Sequence, residues 1–153
     1  MKYSRRGFIK NMVGGTLVLS LDNFKFPKNL TSHTLKLGII ADLHQDIMHD
    51  SPDQLNSFIN EMKKIGTDAN IQLGDFAIPR PQNYALIHDF NQSNKHILHV
   101  IGNHDTDLGF TKEEVLKVWK MAEPYYSKEI KGIKIIVLDG NDAGSPTFKG
   151  GYP

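Results

Sequence analysis

Apolar and polar positions along the chain follow patterns that predict a series of strands and helices. A short apolar run at residues 35–41 is typical of a buried strand, and apolar side chains recur at helical spacing over residues 55–65. Ser51 fits the N-cap of that helix, Pro52 fits its first turn, and Gly66 fits its C-terminal stop. The first segment therefore predicts a strand followed by a helix.

The same pattern continues to the end of the body of the chain. It predicts a strand at 69–73, a helix at about 83–94, a strand at 96–101, a helix opening at Thr111, and a hairpin of 125–130 with 133–138. Thr111 and Glu114 have the spacing of a capping box, and Lys131-Gly132 marks the hairpin turn. The order β-α-β-α-β-α-β-β predicts an α/β fold with a largely parallel sheet and βαβ units.

Composition narrows the class of protein. The chain has 153 residues, 39% of them hydrophobic and 23% charged, which is typical of a globular protein of one domain. The absence of cysteine excludes a disulfide framework, a thiolate metal site and a cysteine nucleophile. No apolar run approaches the ~20 residues needed to span a bilayer, so no stable membrane span is expected.

The charge is divided unevenly along the chain. The first ten residues hold four basic side chains and no acidic one, whereas the other 143 hold 14 basic and 17 acidic side chains. A protein that binds a duplex normally needs a basic face to neutralise phosphates. The mildly acidic body therefore argues against nucleic-acid binding.

The basic start resembles a twin-arginine export signal. Residues 4–10 read Ser-Arg-Arg-Gly-Phe-Ile-Lys, and the apolar stretch 12–21 follows them. The resemblance implies that the twin-arginine machinery exports the protein to the periplasm or the cell exterior, with residues 1–30 as signal and linker. No A-x-A cleavage site is visible, so the mature start is expected somewhere in residues 20–34. The alternative is a frayed basic terminus with no binding role.

Polar residues of metal-ligand type follow each of the first three predicted strands. Asp42 and His44 follow the first strand, Gly74-Asp75 the second, and Gly102-Asn103-His104-Asp105 the third. Parallel strands bring their carboxyl ends to one edge of the sheet, where ligand sites form. Alternation along a strand would also aim Asp42 and His44 the same way. The sequence therefore predicts a metal site at this edge.

The types of ligand indicate the metals and the chemistry. Carboxylate, imidazole and amide oxygen suit Mn, Fe, Zn or Mg rather than Cu(I) or an iron–sulfur cluster. Two ions ~3.5–4 Å apart need a bridging carboxylate, for which Asp75 is the candidate, and such a pair lowers the pKa of bound water. His104 would protonate a leaving alkoxide, and Asp105 would hold the tautomer of His104.

The three motifs resemble those of the calcineurin-like metallophosphoesterase superfamily, which has D-x-H, then G-D, then G-N-H-[DE]. The resemblance implies that Asp42 and His44 bind one metal, Asp75 bridges two, Asn103 binds the second, and His104 with Asp105 is the catalytic pair. It implies an α/β/β/α sandwich that hydrolyses phosphate mono- or diesters through hydroxide activated by two ions, with Mn, Fe or Zn expected. The expected partner is a small phosphate ester, and no residue is assigned to bind its organic group.

The chain also departs from the pattern of this superfamily. The family continues with a lone His and then G-H-x-H, but no histidine follows His104 in this sequence. Residues 35–153 are therefore expected to be the N-terminal portion of a metallophosphoesterase domain, truncated at the C-terminus. The alternative is a non-catalytic scaffold or binding protein that keeps part of the fold.

Other polar residues have open roles. His49 and Asp50 line a substrate mouth or lie in a solvated loop, and Arg80 is a candidate to meet a phosphate. Residues 139–142 form a simple turn or approach the edge that carries the metal motifs. Trp119 is expected in the core. Three further histidines are expected to have no ligand role: His88, His96 and His99.

Overall fold

The computed structural model describes residues 34–141, 144–145 and 148–149. The predicted export signal and linker, residues 1–30, lie outside these described residues, as do residues 150–153. The export signal with its linker and the truncation at the C-terminus therefore stay predictions. Within the described part of the chain, no helix combines the length and the apolar character needed to cross a membrane.

A parallel three-stranded sheet with helical crossovers is the framework of the fold. Its strands lie in the order β1-β2-β3, and both neighbouring pairs are parallel. The elements are β1 (Leu37–Ile40), α1 (Ser51–Ile65), β2 (Ala69–Gln72), α2 (Tyr84–Gln92) and β3 (Ile97–His99), with a 3-10 turn at Pro81–Asn83 before α2. The predicted α/β class and the βαβ units are confirmed.

The chain continues into a helix and an antiparallel hairpin. These elements are α3 (Lys112–Trp119), β4 (Tyr126–Ile130) and β5 (Ile133–Val137), and a short pair follows, β6 (Gly144–Ser145) with β7 (Phe148–Lys149). Among the described residues, the hairpin forms a sheet of its own, so the parallel sheet has three strands. Lys131 (φ 52°) and Gly132 (φ 77°) give the turn the two left-handed residues of a type I′ hairpin.

One apolar core fills the space between the sheet and the helices. Each helix contributes buried side chains to it, and the loops after the strands add Leu43, Phe76, Ala77 and Ile101. The buried helical residues are Leu55, Ile59, Leu86, Ile87, Phe90, Val115 and Trp119. Because the loops that carry the predicted metal motifs also supply core residues, packing fixes their backbones.

A second, smaller core lies between the sheet and the hairpin. Ala69 and Ile71 of β2 and Leu98 of β3 pack against Ile130 and Val137 of the hairpin. Side chains alternate along a strand, so the hairpin covers the sheet face opposite the helices. Ile39 of β1 is about half exposed.

The observed helix caps agree with those predicted from the sequence except at one residue, Ser51. Gly66 closes α1 in the left-handed conformation, and Thr111 with Glu114 forms the predicted capping box. The prediction of Ser51 as N-cap is wrong, because Asp50 holds that position. The Ser51 hydroxyl instead lies within hydrogen-bond distance of the carbonyl oxygens of Leu43 and Met48, at 2.8 and 2.9 Å, and its single proton ties the loop after β1 to the helix.

Candidate metal centre

The loops after β1 and β2 run side by side at the carboxyl edge of the sheet. The backbone N–H of Asp42 donates to the carbonyl of Gly74 at 3.2 Å, and that of His44 donates to the carbonyl of Asp75 at 2.9 Å. The sheet register therefore continues beyond the strands. The structure brings together the first two predicted motifs.

Two glycines allow the loops after β2 and β3 to touch. A side chain at Gly102 would collide with the backbone nitrogen and the carboxylate of Asp75. A side chain at Gly74, which has φ 102°, would lie 2.8 Å from the backbone of Gly102. The backbone N–H of His104 can therefore reach Oδ1 of Asp75 at 3.0 Å. This contact joins the third motif to the second.

Asp42, His44 and Asp75 form a compact cluster of donor atoms. One ligand atom from each residue lies within 4.8 Å of the other two. His44 Nε2 lies 3.9 Å from Oδ1 of Asp42 and 3.9 Å from Oδ2 of Asp75. This separation is too long for a hydrogen bond. It fits two ligands of one ion, because two bonds of ~2.1 Å hold their donor atoms up to ~4.2 Å apart.

All three residues of this cluster have left-handed backbones. The φ angles are 54° for Asp42, 47° for His44 and 51° for Asp75. Side chains make this conformation costly, and such residues concentrate at functional sites. The strand argument for Asp42 and His44 is wrong in its reason, because β1 ends at Ile40. The loop conformation, rather than strand alternation, brings the two side chains together.

His104 lies next to the cluster, and one of its two ring nitrogens is hydrogen-bonded to a carboxylate. Its ring centroid is 5.4 Å from that of His44, and its Nδ1 pairs with Oδ2 of Asp107 at 2.8 Å. The hydrogen bond to the Asp107 carboxylate raises the pKa of His104 above its ordinary value. A protonated His104 can therefore release a proton from Nε2.

The structure corrects the contact predicted for Asp105. Its carboxylate accepts hydrogen bonds from the backbone N–H groups of four residues, Asp75, Phe76, Ala77 and Gly102. The side chain that pairs with His104 is Asp107, so the predicted hold on the His104 tautomer does not come from Asp105. Burial raises the pKa of Asp105 to about 7, although the four donors stabilise its charged form. Asp105 fastens the loop after β3 to the loop after β2.

Asn103 lies on the same loop, between two residues that contact the Asp75 region. Gly102 donates its N–H to Asp105, and His104 donates its N–H to Asp75. The carbonyl of Asn103 accepts from the hydroxyl of Thr106 at 3.3 Å. The backbone thus brings the loop that carries Asn103 against the loop of Asp75.

A cavity opens beside the cluster, and Arg80 lines it. Nη2 of Arg80 lies 2.6 Å from Oδ1 of Asp46, and Asp46 also accepts from the Ile78 N–H and the Asn83 amide. The charge of Arg80 is therefore balanced within the protein, which weakens its candidacy as a phosphate ligand. The cavity walls include His44, Asp75, His104, Asp107, Arg80 and Leu108.

The remaining candidates lie in varied surroundings. His49 and Asp50 are exposed in the loop before α1, and His88 is exposed on α2. His99 is buried beside Trp119 in the helical core. The loop after β5 does approach the edge that carries the metal motifs, because the Asn141 amide donates to the carbonyl of Ile101 at 2.7 Å.

Three supporting residues were not found from the sequence. They are Asp46, Asp107 and Gln72, and Gln72 accepts the N–H of Gly74 on its buried side-chain oxygen at 2.6 Å. Asp107 carried a usable signal, since it lies three residues after His104. Gln72 carried none, because a buried glutamine in a strand has no distinctive pattern.

Fold and site together define a class of α/β protein with a cluster of metal-ligand side chains at the carboxyl edge of a parallel sheet. The sequence model of the calcineurin-like phosphoesterases matches residues 35–151. The chain therefore belongs to the calcineurin-like phosphoesterase family, whose members carry out metal-dependent phosphoester hydrolysis. A search of curated proteins finds no significant match.

Proposed function

We propose that the protein hydrolyses small phosphate esters with two metal ions held by Asp42, His44, Asp75 and Asn103. The observation that carries this proposal is the cluster of three donor atoms within 4.8 Å of one another, beside a histidine whose Nδ1 is paired with Asp107. Its donor chemistry, two carboxylates and an imidazole, fits Mn, Fe or Zn. Asp75 is the proposed bridging residue.

The bound ions would polarise a phosphate oxygen and lower the pKa of water at the site. The residues of the chain supply the rest of the chemistry. His104 donates a proton from Nε2 to the leaving alkoxide, because Asp107 occupies Nδ1. Asp105 keeps the loop of His104 in register with Asp75 through its bond to the Asp75 N–H. The Asp75 carboxylate is oriented in turn by the His104 N–H.

Replacing His104 tests the assignment of the proton donor. His104→Ala should lower kcat about 100-fold on a phosphate ester while Mn²⁺ binding stays the same, because the imidazole donates a proton and binds no ion. Phenyl phosphate and diphenyl phosphate, whose phenolate leaving group is basic enough to benefit from a proton donor, would distinguish monoesterase from diesterase activity.

His88→Ala, which removes an exposed imidazole from α2, is the matched control and should keep full activity. Full activity in His104→Ala would remove His104 from the mechanism. Mn²⁺ binding by the wild type without hydrolysis of either ester would favour the alternative, a non-catalytic scaffold.

We also propose that residues 1–30 export the protein through the twin-arginine machinery. The support is the Ser-Arg-Arg-Gly-Phe-Ile-Lys pattern ahead of an apolar stretch. Residues 1–34 fused to a folded reporter should reach the periplasm of a bacterium that has this machinery. Replacing Arg5 and Arg6 by lysine should retain the reporter in the cytoplasm, and unchanged export of that variant would contradict the proposal.

A further inference from the structure

The cavity beside the metal cluster has an apolar side. Its walls include Phe76 and Ile78, which are buried, and Ile47 and Leu108, which are 66% and 77% exposed. His44, Asp75 and His104 line the same cavity. An ester whose phosphate lies on the metal cluster would therefore place its organic group against apolar side chains.

Leu108 is held at the cavity by an unusual backbone. Its φ of 60° and ψ of 21° are left-handed, a conformation that leucine seldom adopts. The preceding residue, Asp107, binds His104, and Gly109 follows with φ 84°. The turn that orients the proposed proton donor thus also holds an exposed leucine beside the cavity, and such strain is often found at functional sites.

The charges of the cavity favour an uncharged organic group. Of the described residues that line it, Arg80 is the one that carries a permanent positive charge, and Asp46 pairs with it at 2.6 Å. A second anionic group on the substrate would meet this balanced pair and the carboxylate of Asp107. An apolar group would instead gain contact area against Ile47 and Leu108.

We propose that the cavity selects phosphate esters with an apolar organic group, and that Leu108 and Ile47 are specificity residues. This inference rests on the proposed function, since the phosphate is taken to lie on the metal cluster. The apolar side chains act on binding of the organic group, and the metal cluster acts on the phosphate. The two contributions can therefore be measured separately.

Calorimetric titration of the full chain in Mn²⁺ with phenylphosphonate and methylphosphonate tests this inference. The two ligands share the phosphonate and differ in the apolar group, so the ratio of their Kd values isolates the cavity. We expect the wild type to bind phenylphosphonate about tenfold more tightly than methylphosphonate. Leu108→Asn introduces a residue that tolerates the left-handed backbone. It should remove most of this preference and leave the Kd of methylphosphonate within about twofold of the wild-type value.

Leu138→Asn is the matched control, because Leu138 is 66% exposed and is not among the residues that line the cavity. Its two Kd values should equal those of the wild type. Ile47→Asn is a second variant on the cavity wall and should also reduce the preference. Equal Kd values for both ligands in the wild type, or an unchanged preference in both cavity variants, would overturn the inference alone. Failure of both phosphonates to bind would contradict the proposed function itself.

Discussion

At the scale of single residues, the closeness of Gly102 and Asp75 is the most demanding feature of the site. A methyl group at Gly102 would meet the backbone nitrogen and the carboxylate of Asp75. Both groups belong to a loop that core packing and the Asp105 hydrogen bonds hold in place. The methyl group can therefore be accommodated only if Asp75 moves.

Gly102→Ala should lower the free energy of unfolding by ~1–3 kcal/mol and weaken Mn²⁺ binding, because overpacking displaces the Asp75 carboxylate. Gly140→Ala is the matched control, since a methyl group there meets no atom of the described residues within 4 Å. Denaturant unfolding and calorimetry measure the two effects. If Gly102→Ala kept both wild-type stability and wild-type Mn²⁺ affinity, the close approach of Gly102 to Asp75 would not be needed for folding or for metal binding.

In the proposed mechanism Asp107 is a positioning residue, because its carboxylate contacts the ring of His104 and not the ester. Asp107→Asn keeps the shape of the side chain and removes its charge, so kcat should fall about tenfold with KM and Mn²⁺ affinity nearly unchanged. Asp89→Asn, an exposed substitution on α2, should leave kcat as in the wild type. A rise in KM with kcat unchanged would show that Asp107 acts on substrate binding instead.

The sequence predicted that the side chains of Asp42, His44 and Asp75 would come together, but it did not predict their backbone conformations. Asp42, His44 and Asp75 were identified from their positions after strands, which the structure brings together. Their left-handed backbones depend on hydrogen bonds between loops that are far apart in sequence. Asp105 shows the same limit: adjacency to His104 suggested a contact, whereas the backbone directs its carboxylate to four N–H groups.

At the scale of elements, local signals predicted the helices and strands well. The capping box at Thr111 and the left-handed Gly66 depend on neighbouring residues, so the sequence was sufficient for both. The separation of the hairpin from the parallel sheet depends on packing of Ile130 and Val137 against β2 and β3. Such long-range packing leaves no local pattern.

Removing the capping box should loosen α3, which carries the buried Val115 and Trp119. Thr111→Ala should lower the free energy of unfolding by ~1 kcal/mol, because the N–H of Glu114 loses its acceptor. Chemical denaturation measures the change, with Ser127→Ala on the exposed side of β4 as control. A variant as stable as the wild type would show that the cap adds nothing to the packing of α3.

At the scale of the whole molecule, His99 links stability to pH. Its Nδ1 accepts from the Gln72 amide, and its Nε2 donates to the side-chain oxygen of Asn91, so the buried ring is satisfied in its neutral form. Burial lowers the pKa of His99 to about 3. Between pH 6.5 and 3 the unfolded chain therefore binds a proton at His99 that the folded protein does not bind, and the free energy of unfolding falls as the pH falls.

Comparison of the wild type with His99→Gln isolates this effect. Asp105 has the opposite effect on the pH dependence of stability, because its raised pKa lets the folded state keep a proton between pH 3.8 and about 7. Both proteins contain Asp105, so its contribution cancels in the difference between their free energies of unfolding. Acidification should shift this difference in favour of the variant by up to ~1.4 kcal/mol per pH unit. His88→Gln gives the background for loss of an imidazole. A difference that is independent of pH would contradict a neutral buried His99.

The central claim is metal-dependent ester hydrolysis at the cluster of Asp42, His44 and Asp75. Its most direct test is the rate of phenyl phosphate hydrolysis as a function of Mn²⁺ concentration, for the wild type and for Asp75→Asn. The wild type should show a saturable rise in rate with Mn²⁺, and Asp75→Asn should show none, because the shared carboxylate is lost. Equal rates in the two proteins, or a wild-type rate that does not respond to Mn²⁺, would contradict the assignment of this cluster as the metal centre.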